Sequence, residues 1–117
     1  MCGISGWVLP NTYSFNTQDL IKMGKSITHR GPDDNGHRFF YTDSGDYSIA
    51  FDHQRLAIID INGGSQPMYS EDEKITLIFN GEIYNFKALR SEMKALGLKF
   101  KSESDTEVIL NGYKKWG

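Results

Sequence analysis

Arg55-Leu56-Ala57-Ile58-Ile59-Asp60-Ile61 is the stretch on which the fold turns. Leu56, Ala57, Ile58 and Ile59 are apolar at consecutive positions, so both faces of an extended chain are apolar. That pattern describes a strand covered on both sides. Residues 74–79 repeat it, with Ile75, Leu77 and Phe79 facing one way and Ile78 the other. One layer of helices cannot cover both faces of a sheet. A sheet stacked on a second sheet, with helices outside, does so; periodicity alone leaves a three-layer sandwich open.

Outward from these two runs the chain alternates strand and helix signals. A strand is predicted over 3–9, ended by Pro10-Asn11. Thr17 or Asn16 can cap a helix whose Leu20, Ile21, Gly24 and Ile27 share a face. His29-Arg30-Gly31-Pro32-Asp33 stops that helix and turns the chain. Strands over 36–41 and 47–52 flank the turn Asp43-Ser44-Gly45-Asp46, and Asn62-Gly63-Gly64 turns the chain after 55–61. A helix over 85–96 carries the stripe Phe86, Leu89, Met93, Leu96 and ends at Gly97. A short strand over 98–101 follows. Ser104 and Glu107 have the spacing of a capping box, opening a last helix with Ile109, Gly112, Tyr113 and Trp116 on one face. Together these predict an α+β chain with antiparallel sheets.

Composition narrows the function. At 117 residues the chain is at most one domain. Hydrophobic residues at 38% and charged ones at 24% suit a soluble globular chain. A net charge of -2 without a basic stripe gives nucleic acid no electrostatic foothold. No apolar run approaches a membrane span, and the first residues lack the pattern of a signal peptide. One cysteine cannot form an internal disulfide, which points to the reducing cytoplasm. His29, His37 and His53 are scattered without metal-ligand spacing, so no metal site is expected.

That cysteine, Cys2, sits where loss of Met1 would put a thiol and a free α-amine on one residue. The amine can serve as base to the nucleophile that carries it. Against this, a lone cysteine often packs as a small hydrophobe. If Cys2 attacks a carbonyl, the resulting oxyanion needs donors placed in advance. Asn80-Gly81 can supply a side-chain amide and a backbone N–H, although Asn-Gly is also a plain hairpin corner. Arg55 can hold a carboxylate bidentately, although composition alone favours a surface ion pair. Glu82 and Asp105 can accept from an ammonium; equally, Glu82 can be solvated and Asp105 can cap the last helix. Together these residues would read an α-amino acid with a reactive side-chain carbonyl.

Five segments in order resemble the class II glutamine amidotransferases, which are N-terminal-nucleophile hydrolases. They are Met1-Cys2-Gly3-Ile4, His29-Arg30-Gly31-Pro32-Asp33, Arg55-Leu56-Ala57-Ile58-Ile59-Asp60, Asn80-Gly81-Glu82-Ile83-Tyr84-Asn85 and Ser104-Asp105-Thr106-Glu107. Within that class the second and fourth are similar to glutamine-hydrolysing asparagine synthetases. The resemblance implies an αββα sandwich with antiparallel sheets. It implies that Cys2, freed of Met1, attacks the side-chain amide of L-glutamine and forms a thioester that water hydrolyses to glutamate and ammonia. It further implies an oxyanion hole of Asn80 and Gly81. The α-carboxylate falls to Arg55 with backbone near Ile58 and Ile59, and the α-ammonium to Glu82 and Asp105. His29 and Arg30 receive no role beyond packing and loop fixing.

Members of the family continue into a large synthetase domain that uses ATP and magnesium, and neither its signature nor the later glutaminase strands occur in 1–117. The expectation is therefore the N-terminal portion of a truncated glutaminase domain. It would bind no cofactor itself, would serve the synthetase domain of its parent, and would cover its open sheet edges by forming a homodimer. Two other readings remain: an amidotransferase acting on a sugar or surface-polysaccharide acid, and a catalytically silent assembly module.

Overall fold

The computed structural model describes residues 1–117. Five strands and three helices are present: β1 (Gly3–Pro10), α1 (Thr17–Ser26), β2 (Asp34–Tyr41), β3 (Tyr47–Arg55), β4 (Met68–Tyr69), β5 (Thr76–Leu77), α2 (Phe86–Ala95) and α3 (Asp105–Trp116). A single 3-10 turn, Thr28–Arg30, follows α1. β1, β3 and β2 form one antiparallel sheet with β3 in the middle, and β4 and β5 form a separate two-stranded ribbon. The chain is thus α+β with antiparallel sheets, shaped as a slab of 46 × 35 × 18 Å.

Alternation along β3 sorts its side chains between two faces. Ser48, Ala50, Asp52 and Gln54 point toward α1 and the turn after it, where Gln54 meets Thr28 Oγ1 at 3.5 Å. His53 and Arg55 point the other way, toward the ribbon side. Register Gly3↔Gln54 and Trp7↔Ala50 places Ser5 and Trp7 over the α1 face, where Trp7 Nε1 donates to Ser48 at 3.2 Å. Arg38 of β2 bridges to the ribbon: Nη1 donates to Thr76 at 3.0 Å, and the guanidinium lies 4.6 Å from the Tyr69 ring centre. Between sheet and ribbon runs an open groove of about 1150 Å³, walled by Ile49 and Phe51 on one side and Ile75, Leu77 and Leu110 on the other.

α1 begins with a complete capping box, in which Asn16 accepts from Gln18 and Asp19 N–H and Asp19 returns a bond to Asn16 N–H. Leu20 and Gly24 are its buried residues. Gly24 lies directly on the Asp52 carboxyl group.

Several expected elements differ. The run 55–61 is not a strand: β3 ends at Arg55, and Ile58 and Ile61 are 63% and 72% exposed. Of 74–79 only Thr76–Leu77 pairs, and 98–101 forms no strand. α2 buries Met93 together with Arg90, while Leu96 of its expected stripe is half exposed. α3 buries Asp105 through Val108, Leu110 and Asn111 instead of the expected face; Tyr113 and Trp116 are exposed. Ser104 does cap it, accepting from Thr106 N–H at 3.2 Å. Glu107 does not complete the box. Its carboxylate binds Lys101 N–H and Ser102 N–H instead, at 2.8 and 2.7 Å. The polar N-terminal half of α3 is therefore built into the interior, and it is this half that reaches the site.

A Cβ on Gly24 would sit 2.3–2.4 Å from three atoms of the Asp52 carboxyl group. Asp52 is 2% exposed and cannot swing into water. Gly24→Ala is expected to cost about 1–3 kcal/mol, read as a lower urea midpoint at unchanged slope, despite the better helix propensity of alanine.

Candidate functional site

The end of β3, the loop after it, the segment after β5 and the start of α3 enclose a cavity of about 300 Å³. That is the lower end of small-molecule sites. Cys2, Arg55, Ile58, Ile59, Asn80, Gly81, Glu82 and Asp105, every residue picked out from the sequence, line it. They come from four separated segments, so the fold alone brings them together.

Cys2 precedes β1 and is half-buried. Leu56 N–H donates to Sγ at 3.3 Å, and the thiol lies 3.6 Å from Leu56 O, so one residue of the loop holds the sulfur from both sides. Arg30 Nε donates to the Cys2 carbonyl at 3.1 Å. Asp33 accepts Ala57 N–H at 2.8 Å. The Arg30–Asp33 segment is thus a brace for both Cys2 and the loop, which extends to Cys2 the packing and loop fixing expected of Arg30. Met1 is joined to Cys2 and lies on the cavity, so with Met1 attached the Cys2 nitrogen is a peptide nitrogen.

Asn80 and Gly81 stand at the cavity wall. No hydrogen bond within the chain engages the Asn80 side chain or the Gly81 N–H. Both donors are available to a ligand, as an oxyanion hole requires.

Arg55 is 5% exposed, which rules out the surface ion pair. Its Nη2 donates to Ile59 O at 2.9 Å and to Asp60 O at 2.5 Å, and Nη1 donates to Ile61 O at 3.1 Å. Three of five N–H groups hold the loop. Both paired edges of a guanidinium include the nitrogen spent here on two carbonyls. The expected bidentate grip on a carboxylate is therefore not offered by this arrangement; single bonds from Nε and the remaining Nη1 proton are. Asp60, at φ 49°, adds ties to Gly63 N–H and Glu103 N–H.

Asp105 is 6% exposed and is the first residue of α3. It does not cap the helix. Its Oδ2 accepts Ile83 N–H at 2.9 Å, tying α3 to the segment after Gly81, while Oδ1 has no partner in the chain. Glu82 is exposed with its carboxylate free. Arg90 supports this corner, with Nη1 on Ser102 O at 2.6 Å and Nη2 on Ser104 O at 2.9 Å.

Behind the cavity lies His53, fully buried, its Nε2 3.1 Å from Phe79 O. A carbonyl only accepts, so Nε2 carries the proton and Nδ1 is bare and unpartnered. Burial lowers the His53 pKa, and the bond to Phe79 O opposes this only in part. Burial likewise raises that of Asp52, against the Gln54 amide that donates to it at 3.1 Å. No cluster of three or more His, Cys, Asp or Glu gathers to hold a metal ion. No helix is long and apolar enough to cross a membrane.

Known proteins add a second line of comparison. The family described as glutamine amidotransferase domain matches residues 1–117. Asparagine synthetase (glutamine-hydrolyzing) 3 of Bacillus subtilis (strain 168) is 40% identical over 119 aligned residues, covering 99% of this chain and 18% of the relative. Asparagine synthetase (glutamine-hydrolyzing) 1 of the same strain is 43% identical with the same coverage. Asparagine synthetase (glutamine-hydrolyzing) 3 of Arabidopsis thaliana is 39% identical, covering 100% of this chain and 19% of the relative. The chain thus spans less than a fifth of the length of these relatives.

Because the folded imidazole binds a proton less readily than the unfolded one, acid protonates the unfolded chain first. Stability conferred by neutral His53 is present above the ordinary histidine value of 6.5 and is lost as pH falls below it. Urea titrations from about pH 8 to about pH 5 should show stability falling by up to about 1.4 kcal/mol per pH unit. A His53→Gln variant, which keeps a donor for Phe79 O, should lack that slope.

Proposed function

The chain belongs to the glutamine amidotransferase domain family, and from that premise we propose that it carries the glutaminase half-reaction on L-glutamine. The carrying observation is that Cys2, two unengaged donors at Asn80 and Gly81, and the carboxylate of Asp105 share one small cavity. After Met1 leaves, Sγ attacks the side-chain amide carbon and its proton passes to the Cys2 α-amine. The C–S bond forms as the carbonyl electrons move to oxygen, where Asn80 and Gly81 receive the charge. Collapse breaks the C–N bond; the α-ammonium returns the proton, and ammonia departs from a γ-glutamyl thioester. Water hydrolyses the thioester to glutamate and restores the thiol.

Substrate recognition follows from the same wall. Asp105 Oδ1 and the free Glu82 carboxylate take the α-ammonium. Arg55 meets the α-carboxylate with the protons that the loop leaves free, beside the Ile58 and Ile59 backbone. The layering is in keeping with the αββα sandwich of N-terminal-nucleophile hydrolases: α1 lies outside one sheet, and α3 lies against β4 of the ribbon. Relatives named as glutamine-hydrolyzing asparagine synthetases support an ammonia acceptor of the aspartate type. That step, with its ATP and magnesium, belongs to a synthetase domain of the parent protein, in the cytoplasm; residues 1–117 themselves need no cofactor for the hydrolysis.

The test is intact mass before and after exposure to the glutamine-like electrophile 6-diazo-5-oxo-norleucine. The expected product lacks Met1 and gains one adduct, which maps to Cys2 and is blocked by excess glutamine. Cys2→Ala should fold, take no adduct and lose glutamine turnover by about 1000-fold or more. Labelling that ignores glutamine, or turnover that survives Cys2→Ala, overturns the reading.

A further inference from the structure

Gln66 was not picked out from the sequence, yet it is 7% exposed and borders the cavity. Its carboxamide lies along the main chain of Phe79 as a neighbouring strand would. Oε1 accepts Phe79 N–H at 2.6 Å and Nε2 donates to Phe79 O at 3.2 Å. The second Nε2 proton reaches Thr106 Oγ1 at 3.3 Å. His53 Nε2 donates to the same Phe79 carbonyl at 3.1 Å. One side chain therefore takes both main-chain groups of Phe79, and a second closes on its oxygen.

The location gives these bonds their consequence. The Phe79 carbonyl and the Asn80 nitrogen belong to one planar peptide unit. Two donors on that oxygen fix the plane from which Asn80 and Gly81 extend. The link to Thr106 ties the same plane to α3, one residue from Asp105. Gln66 can reach because its backbone lies against β2: a Cβ on Gly36 would stand 2.0 Å from Gln66 O.

We infer that Gln66 is a positioning residue for the oxyanion hole, joining it through Thr106 to the element that carries Asp105. This rests on the glutaminase reading above. Gln66 touches no reacting atom; it acts by holding the Phe79–Asn80 peptide. Since the hole is used chiefly as charge develops on oxygen, loosening it lowers kcat more than it raises KM.

The experiment compares Gln66→Met and Gln66→Glu with the unaltered chain. Rates are normalised to sites titrated by 6-diazo-5-oxo-norleucine, and iodoacetamide reports whether Cys2 stays accessible. Gln66→Met should lose about 10- to 100-fold in kcat, the cost of a small displacement of aligned groups, with KM changed less than about 3-fold. Iodoacetamide labelling should be unchanged. Gln66→Glu keeps the acceptor for Phe79 N–H and becomes a donor to Phe79 O only when protonated, so its kcat should recover as pH falls; Gln66→Met should not recover. A kcat within about 3-fold of the unaltered value in folded Gln66→Met overturns the inference. Hydrogen exchange on the unaltered chain needs neither variant nor turnover. Protection of the Phe79 amide above that of the Gly81 amide supports the clamp, and equal rapid exchange of the two overturns it. Absence of turnover and of Cys2 labelling, with Phe79 protected, would overturn the glutaminase reading alone.

Discussion

Four consecutive polar residues, Asp52, His53, Gln54 and Arg55, are all buried at the end of the central strand. Burying polar groups without partners costs several kcal/mol each, so this segment dictates what must fold around it. On one face Asp52 and Gln54 bond each other, and Gln54 reaches Thr28. Gly24 of α1 closes over them without a side chain. On the other face His53 draws in the Phe79 carbonyl and Arg55 draws in three loop carbonyls. The cavity lies between those two sets of bonds. Two of its walls, the loop 56–61 and the segment at Phe79, are recruited to satisfy Arg55 and His53.

The same demand explains where sequence reasoning failed. The apolar run 55–61 has the composition of a doubly covered strand, but Ile59, Asp60 and Ile61 give their carbonyls to one guanidinium. Carbonyls gathered on a point cannot also serve a ladder, whose bonds leave the strand at regular intervals to either side. Residues 74–79 fail similarly at their end: both main-chain groups of Phe79 are taken by side chains, and pairing stops at Leu77. Apolar periodicity registers burial and is blind to where the backbone bonds go. In α3 it marked Tyr113 and Trp116, which are exposed, because the interior there is filled by Asp105, Thr106, Glu107 and Asn111.

The lining of the site was more legible than the fold, because motifs carry residue identity as well as burial. All eight residues picked out line one cavity, although their segments are far apart in the chain. Roles were less legible than membership. The sequence marks Arg55 as a clamp, and in the structure it serves first as the core of its loop. The sequence marks Asp105 as an ammonium acceptor or a cap; in the structure it does not cap, and one of its oxygens fastens Ile83. Gln66, Arg30 and Asp33 act through backbone atoms of other residues. Backbone atoms are the same everywhere, so no pattern of side chains announces such a contact.

Hydrogen-bond satisfaction separates the groups that hold this fold from those left over for a ligand. Away from the cavity, Glu107 and Arg90 are each tied to two main-chain atoms. At the cavity the pattern reverses. The Asn80 amide, the Gly81 N–H, Asp105 Oδ1 and the Glu82 carboxylate have no partner in the chain. Their chemistry is complementary to a polar carbonyl at one end of a molecule and a cation at the other. A half-satisfied polar cluster is a poor way to stabilise a protein, since apolar packing does the same at less cost. Its position beside the only cysteine, between segments fastened by hydrogen bonds to Arg55, His53 and Gln66, leaves these groups free to meet a polar ligand.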